Sequence, residues 1–332
     1  VVKEAGGDLS MEDLKANETT FEEPISTTFK GYKVVECGPN GQGIVALMAL
    51  NILEGIDVAA LGLNSASYIH ILVEALRLAF ADAKQYLADP AHSSIPLSEL
   101  LSKEYASQRR RLIDVAHAGQ GLSFGRPVMS SDTVQFVVVD GLGNAVSMVN
   151  SNYMGFGTGI VPRGCGFSLQ NRGHGFSLDP THLNALQPGK RPYHTIIPGM
   201  TFRSDGSFHT AFGVMGAFMQ PQGHVQVLLN MLEFGLDPQE SLDVPRFCIL
   251  ANQQDFCDQS SRLALEDGIS PDVSHELQSM GHQVLVTKGV LRALFGRGQI
   301  IERFLSEPSR ESPGVLRAGS DPRADGCAFP VI

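Results

Sequence analysis

Hydrophobic residues follow one rhythm before about residue 117 and another after 133. Ile44 to Leu53 is an almost unbroken apolar run closed by Gly55, which predicts a helix buried on every side. Ser67 to Leu87 predicts a long helix with Ile69, Leu72, Leu76, Phe80 and Leu87 along one face, stopped by Pro90. Glu99 to Ile113 reads as a further helix, with Ser98 as its N-cap. Arg109, Arg110 and Arg111 would complement its dipole on a solvated face. Met11 to Leu14 opens a short helix behind Ser10, Tyr32 to Glu36 reads as a strand, and Gly38 to Gly43 is a turn-rich break. Residues 118 to 132 are Gly/Ser-rich and weakly patterned, a linker or exposed loop. Beyond them Thr133 to Asp140 is strongly β-forming, Gly141-Leu142-Gly143 is a turn, and Asn144 to Val149 is a second strand. Short strands and Gly/Pro turns then alternate around one helix, Gln222 to Phe234, and no internal repeat is visible.

Composition narrows the class. The 332 residues can bury one large core or two moderate ones, and 43% hydrophobic with 18% charged residues is ordinary for a globular protein. A net charge of -10 leaves no electrostatic footprint for nucleic acid or an anionic membrane. No apolar run approaches the ~20 residues of a membrane span. Val1 is not an initiator methionine and no signal-peptide pattern follows it, so the chain reads as part of a longer protein, and a cytoplasmic location is favoured. Five scattered cysteines (37, 165, 248, 257 and 327), without C-x-x-C spacing, argue against a zinc ribbon or a disulfide framework. Asn17-Glu18-Thr19 is a glycosylation sequon at near-chance frequency.

The candidate chemistry centres on Thr133. A threonine heading a buried strand behind a flexible polar linker is what an N-terminal-nucleophile hydrolase needs. Cleavage between Asp132 and Thr133 would free an α-amine, with a pKa near ~8, to take the proton from the same residue's hydroxyl. The structural alternative is that a β-branched residue simply suits the first pleat of a strand, and the local pattern alone favours it. Among the histidines considered, His174, His182, His194, His209 and His224, no metal-binding spacing appears. Gly155 to Gly159 lacks the ending of a phosphate loop. The G-x-S-x-G match at Gly121 to Gly125 lacks the strand–turn–helix of a serine-hydrolase elbow.

Several longer segments change the odds. Val138 to Val146, Phe156 to Val161, Lys190-Arg191-Pro192 and Gly319 to Gly326, taken in order, resemble the small subunit of the γ-glutamyltranspeptidase family. Gly6-Gly7-Asp8-Leu9, Leu50 to Gly55 and Ala75 to Asp82 resemble the end of that family's large subunit. The resemblance implies an α+β fold, the four-layer αββα sandwich of the N-terminal-nucleophile hydrolases, with its N-terminal part truncated. Residues 1–132 would be the C-terminal part of the large-subunit-like region, mostly helical, ending in the processing linker. Residues 133–332 would be the small-subunit-like catalytic region. It also implies self-cleavage at Asp132–Thr133 into a heterodimer, Thr133 as nucleophile, no cofactor, and a small γ-glutamyl or acyl-amide substrate.

Residue by residue, the resemblance places Ser151 where the family has a second threonine supporting the first. Gly213 to Ala217 falls on the segment whose adjacent backbone N–H groups form the oxyanion hole, with Gly216 and Ala217 as donors. Ala217 replaces a glycine, at a cost of roughly 1 kcal/mol or more if the site needs φ > 0. Arg172 and Gly175 stand where the family's acceptors for a substrate ammonium stand, and an arginine repels an ammonium. Arg172 suits a carboxylate instead, or else a structural ion pair. His194 and Thr195 replace a pair of serines, and Tyr153 occupies the place of an asparagine. Asp321 and Arg323 read as an ion pair, or as turn formers. This pattern resembles the glutathione-hydrolase-like branch, close to some acylases, and favours hydrolysis over transpeptidation. The competing readings are a catalytically silent binding or assembly module and an acylase for non-glutamyl dicarboxylic amides.

Overall fold

The computed structural model describes residues 1–119, 131–250, 261–305 and 314–331. Most of the predicted linker, the Gly121 to Gly125 match and Cys257 lie outside the described residues. The first part of the chain forms α1 (Met11–Ala16), β1 (Ile25–Phe29), β2 (Tyr32–Glu36), α2 (Gly43–Leu53), α3 (Val58–Leu61), α4 (Ala66–Tyr86), α5 (Leu97–Leu100) and α6 (Lys103–Arg110). The second part opens with β3 (Ser131–Val139), β4 (Ala145–Met154), β5 (Gly199–Phe202), β6 (Phe208–Met215), α7 (Met219–Leu232) and α8 (Pro238–Asp243). It closes with β7 (Phe247–Leu250), β8 (Arg262–Glu266), α9 (Pro271–Ser279), β9 (Gln283–Thr287), β10 (Arg297–Phe304) and β11 (Val315–Ser320). No helix among the described residues is long and apolar enough to cross a membrane.

The central sheet runs β1-β2-β5-β6-β10-β11, antiparallel throughout, and so draws strands from both sides of residue 132. Its two faces are covered differently because β6 alternates. Val214 points at α7, where an added Cβ on Gly223 would lie 2.6 Å from the Val214 side chain. Gly213 points the other way, where an added Cβ would lie 2.3 Å from Gln135 of β3. Helices α2 and α7 therefore lie on one face, with α4 packed behind α2. The β3–β4 hairpin lies on the other as a second β layer. Every residue of α2 is buried, as its apolar run predicts for a helix between a sheet and another helix. The hairpin's outward side chains, Val134, Phe136, Val138, Val146 and Met148, are exposed. A small sheet, β7-β8-β9, with β8 and β9 parallel, completes the fold beside α9.

Four sequence expectations are corrected by the structure. The helix over Glu99 to Ile113 is broken into α5 and α6, because Ser102 caps a new start by accepting from the Tyr105 N–H at 3.1 Å, while Ser98 lies inside α5. The arginines at its end are struts more than a solvated face. Arg109 sits 3.0 Å from the Asp82 carboxylate, and Arg110 donates to the Ile52 carbonyl at 3.0 Å. The helix at Gln222 starts three residues earlier, since Pro221 falls in its first turn, where a missing N–H costs nothing. Thr133 is the third residue of its strand, not the first. Strand β1 was not anticipated. Its Ser-Thr-Thr centre looks solvent-facing, but Thr27 turns inward and donates to Asn51 of α2 at 2.6 Å.

Two buried polar groups of contacts hold the layers in register. Near the C-terminus, Asp321 pairs with Arg246 at 2.8 Å and with Arg323 at 3.1 Å, and Arg323 also reaches Glu266 at 2.5 Å. Between β2, β6 and α7, His224 Nε2 accepts the Val214 N–H at 3.1 Å. That leaves Nδ1 to carry the ring proton and donate to Glu36 at 2.7 Å, with both side chains fully buried. Burial raises the Glu36 carboxyl above its ordinary 4.5, and the His224 contact offsets part of the rise.

His224→Ala should therefore lower the unfolding free energy by about 3 kcal/mol, since it strands a buried carboxyl and an amide N–H. Glu36→Gln keeps an acceptor for Nδ1 and should cost under about 1 kcal/mol. A raised folded-state pKa means that the carboxyl's contribution is full below its unfolded value and is lost as pH climbs through the folded one. Urea titrations above about pH 5 should thus show a shallower fall in stability for Glu36→Gln than for the parent.

Candidate active site

Thr133 is buried, 3% exposed, and its Oγ1 donates to Ser151 Oγ at 2.9 Å across the β3–β4 ladder. The ladder keeps step from Val139 opposite Ala145 up to Thr133 opposite Ser151. It then skips Asn152, so that Asp132 pairs with Tyr153. Such a bulge re-aims the chain locally, and here it falls at the Asp132–Thr133 bond. Tyr153 takes φ 77°, rare for a bulky residue, and in doing so turns its N–H back to Ser151 Oγ at 2.9 Å. Ser151 Oγ thus accepts from a hydroxyl and from a backbone amide at once.

Contacts between hairpin and sheet climb towards the end of β6. Ser147 Oγ donates to the Phe212 carbonyl at 2.8 Å, and Gln135 fills the space over Gly213. The Thr133 end of the hairpin therefore lies towards Met215 and the turn that follows it. In that turn Gly216 has φ 141° and Ala217 has φ 50°. The site does hold Ala217 in the left-handed region. Their carbonyls start α7 by accepting from Met219 at 2.9 Å and Gln220 at 3.1 Å, while their own N–H groups donate to no described residue. Two adjacent amides at the start of a 14-residue helix make an electropositive corner.

Arg172 comes to the same place from a 3₁₀ turn tied to β4, where the Asn171 side chain accepts the Met154 N–H at 3.1 Å. Its guanidinium lies 4.6 Å above the Tyr153 ring, and Nη1 donates to Thr195 Oγ1 at 2.8 Å. Arg172 is only 6% exposed, and Nη2 has no hydrogen-bond partner among the described residues. No carboxylate is paired with it among those residues, so the structural ion pair is not what holds it. Burial lowers its pKa to about 10, so it remains a cation at neutral pH. His194, one residue before Thr195, is pushed down to about 4 by burial and by Arg172, and is neutral. Its ring occupies the space left open by Gly41, where a Cβ would lie 2.6 Å from Cε1. Gly175, by contrast, faces the Tyr193 carbonyl.

Sequence reasoning passed over Gln42, which it placed in a turn-rich break. Gln42 is fully buried, and its Nε2 donates to the carbonyls of Thr195 at 3.1 Å and Ala217 at 2.8 Å, while its Oε1 accepts from the Tyr193 hydroxyl at 2.9 Å. A polar residue between two glycines, directly before an almost wholly apolar helix, was the available signal. Also unanticipated is a buried trio of metal-ligand types, His70, Glu74 and His282. Most of its polar atoms are engaged, while His282 Nδ1 has no hydrogen-bond partner among the described residues. His70 donates to the Asp114 carbonyl at 2.7 Å and so accepts from His282 at 2.8 Å, and Glu74 is held by Arg77 at 2.8 Å.

Comparison with known proteins bears on this geometry. The gamma-glutamyltranspeptidase family profile matches residues 1–331. The glutathione hydrolase-like YwrD proenzyme of Bacillus subtilis is 35% identical over 98% of this chain and 59% of its own length. The oxamate amidohydrolase proenzyme of Klebsiella pneumoniae subsp. pneumoniae is 32% identical over 97% and 58%. Among solved structures, a cephalosporin acylase from Bacillus halodurans superposes with a TM-score of 0.84 at 43% identity, covering 98% of this chain and 56% of that one. The chain thus spans somewhat over half the length of these relatives, and its mixed helix-and-sheet fold is theirs over that span. It belongs to the gamma-glutamyltranspeptidase family.

Proposed function

We propose that the chain carries the nucleophile of an N-terminal-threonine amidohydrolase, generated by cleavage between Asp132 and Thr133. Residues 1–132 and 133–332 would then be the contributions of its two subunits. The observation that carries this reading is Thr133 itself: a buried hydroxyl bonded to Ser151 at 2.9 Å, at the place where the strand register breaks. Once free, the Thr133 amine takes the proton from Oγ1 as that oxygen attacks the amide carbon of the substrate. Ser151 holds the hydroxyl in line, and the Gly216 and Ala217 N–H groups receive the developing oxyanion. The amide C–N bond breaks, the leaving amine departs with the proton, and an ester to Oγ1 remains. Water then attacks the ester and releases the acid.

The acyl group bears a carboxylate in this reading. Arg172 presents an unused Nη2 beside Thr195, and a guanidinium with a spare buried donor matches an anion and repels an ammonium. Tyr153 supports the guanidinium from below, and neutral His194 shapes the wall without adding charge. The name of the Klebsiella relative, an oxamate amidohydrolase, is of the same chemical kind: an amide whose acyl side ends in an acid. A dicarboxylic acyl amide is therefore favoured over a γ-glutamyl amide, whose α-carbon carries an ammonium.

Thr133→Ala should neither split nor turn over substrate; two fragments from that variant on a denaturing gel would refute the assignment. Arg172→Gln should lower kcat/KM for a glutaryl anilide by about 10- to 100-fold, equivalent to losing a charge-assisted contact of about 1.5–3 kcal/mol. The same substitution should leave γ-glutamyl anilide turnover unchanged or raised. Equal losses on both substrates, which share a carboxylate and differ only in the ammonium, would show that Arg172 does not discriminate between them.

A further inference from the structure

We propose that Gln42 is a positioning residue that fixes the span between the anion clamp and the oxyanion turn, and so sets the length of acyl chain the site accepts. The inference rests on the reading of Arg172 and of Gly216–Ala217 given above. One side chain joins the two ends of the site. Its Nε2 donates to the carbonyl of Thr195, whose hydroxyl holds Arg172, and to the carbonyl of Ala217, whose N–H is an oxyanion donor. Both partners are carbonyls and can only accept, so the amide can face only one way, and Oε1 must meet the Tyr193 hydroxyl. Both N–H donors of the amide are used and its oxygen is held by the Tyr193 hydroxyl, so the side chain is fixed at both ends.

The strut is anchored as firmly as it is loaded. The Gln42 backbone N–H donates to the His194 carbonyl, and the His194 N–H donates to Asn40, each at 3.1 Å. Glycines on both sides allow this close approach. A Cβ at Gly41 would lie 2.6 Å from the His194 ring, and one at Gly43 would lie 2.7 Å from the Cys37 carbonyl. Directly behind it, α2 is buried along its whole length. The load is real because Ala217 holds φ 50°, which an L side chain leaves readily when released. Without the strut, the Ala217 peptide is free to relax, and Thr195 is free to move relative to it. An asparagine is one methylene too short to touch both carbonyls. A glutamate would set an anion against them.

The consequence is selectivity by length. The carboxylate of the acyl group is held at Arg172, and its carbonyl must reach the Gly216–Ala217 amides. A fixed span admits one chain length best, and a loosened span admits several less well. The test is steady-state kinetics of the purified protein on succinyl, glutaryl and adipoyl p-nitroanilides, with Gln42→Met, which keeps the length and apolar bulk but donates nothing. Gln42→Met should lower kcat on the preferred chain at least about tenfold, with a much smaller change in KM, and should compress the kcat/KM ratios among the three substrates towards one. Tyr193→Phe, which removes only the hydroxyl on Oε1, should shift the ratios the same way by a smaller factor, and it carries the test if Gln42→Met does not fold. Unchanged kcat and ratios, or a uniform loss that leaves the ratios intact, would overturn the proposal. If the parent turns over none of the three while Thr133→Ala is indistinguishable from it, the underlying reading fails first, and this one with it.

Discussion

The close seating of the β3–β4 hairpin on β6 is the constraint from which the rest of the site follows. It is possible only because position 213 has no side chain, so that Gln135 can occupy the space a Cβ would need. A methyl group there would push the two β layers apart along the line that leads to Thr133. The threonine, its Ser151 partner and the turn at Gly216–Ala217 lie on three different elements, and this contact makes their separation a fixed quantity. Alternation along β6 does the complementary work on the far face, where Val214 meets Gly223 and brings α7 down, so that the turn leading into it carries two amides that donate to no described residue.

The site is also an arrangement of charge. Burial leaves His194 neutral and Arg172 cationic, so a positive group stands on the same side of the hairpin as the uncharged Thr133 hydroxyl. In the network of Arg246, Asp321, Arg323 and Glu266, which ties the last strand to α8 and β8, buried ions of opposite sign are matched. Arg172 has no carboxylate partner of that kind among the described residues. A buried guanidinium with a donor that has no partner among the described residues is costly unless something anionic meets it.

Much of this was legible in the sequence, and what was not has physical reasons. The almost unbroken apolar run from Ile44 and the glycine-closed hairpin after Thr133 carry local signals strong enough to stand alone. The motifs after Thr133 resembled a family and pointed to the residues that the fold then gathers, including an alanine in place of a glycine at a left-handed position. Gln42 was passed over because its partners lie more than 150 residues away, and its role is to satisfy carbonyls, which leave no trace in composition. Strand β1 was missed for a related reason: Thr27 looks polar in sequence but is inward because Asn51 waits for it. The split between α5 and α6 turned on which of two serines caps, a choice that packing makes and propensity does not.

The skipped Asn152 has one more consequence. From Val139 back to Thr133, the strand is indexed by its own turn at Gly141–Gly143, while Ser131 and Asp132 are indexed separately, one residue out of phase. The join between the two countings is the bond before Thr133. Scission there would detach a two-residue stub and leave the remaining pairs as they are, so the sheet that presents the new amine needs no rebuilding once the chain is open.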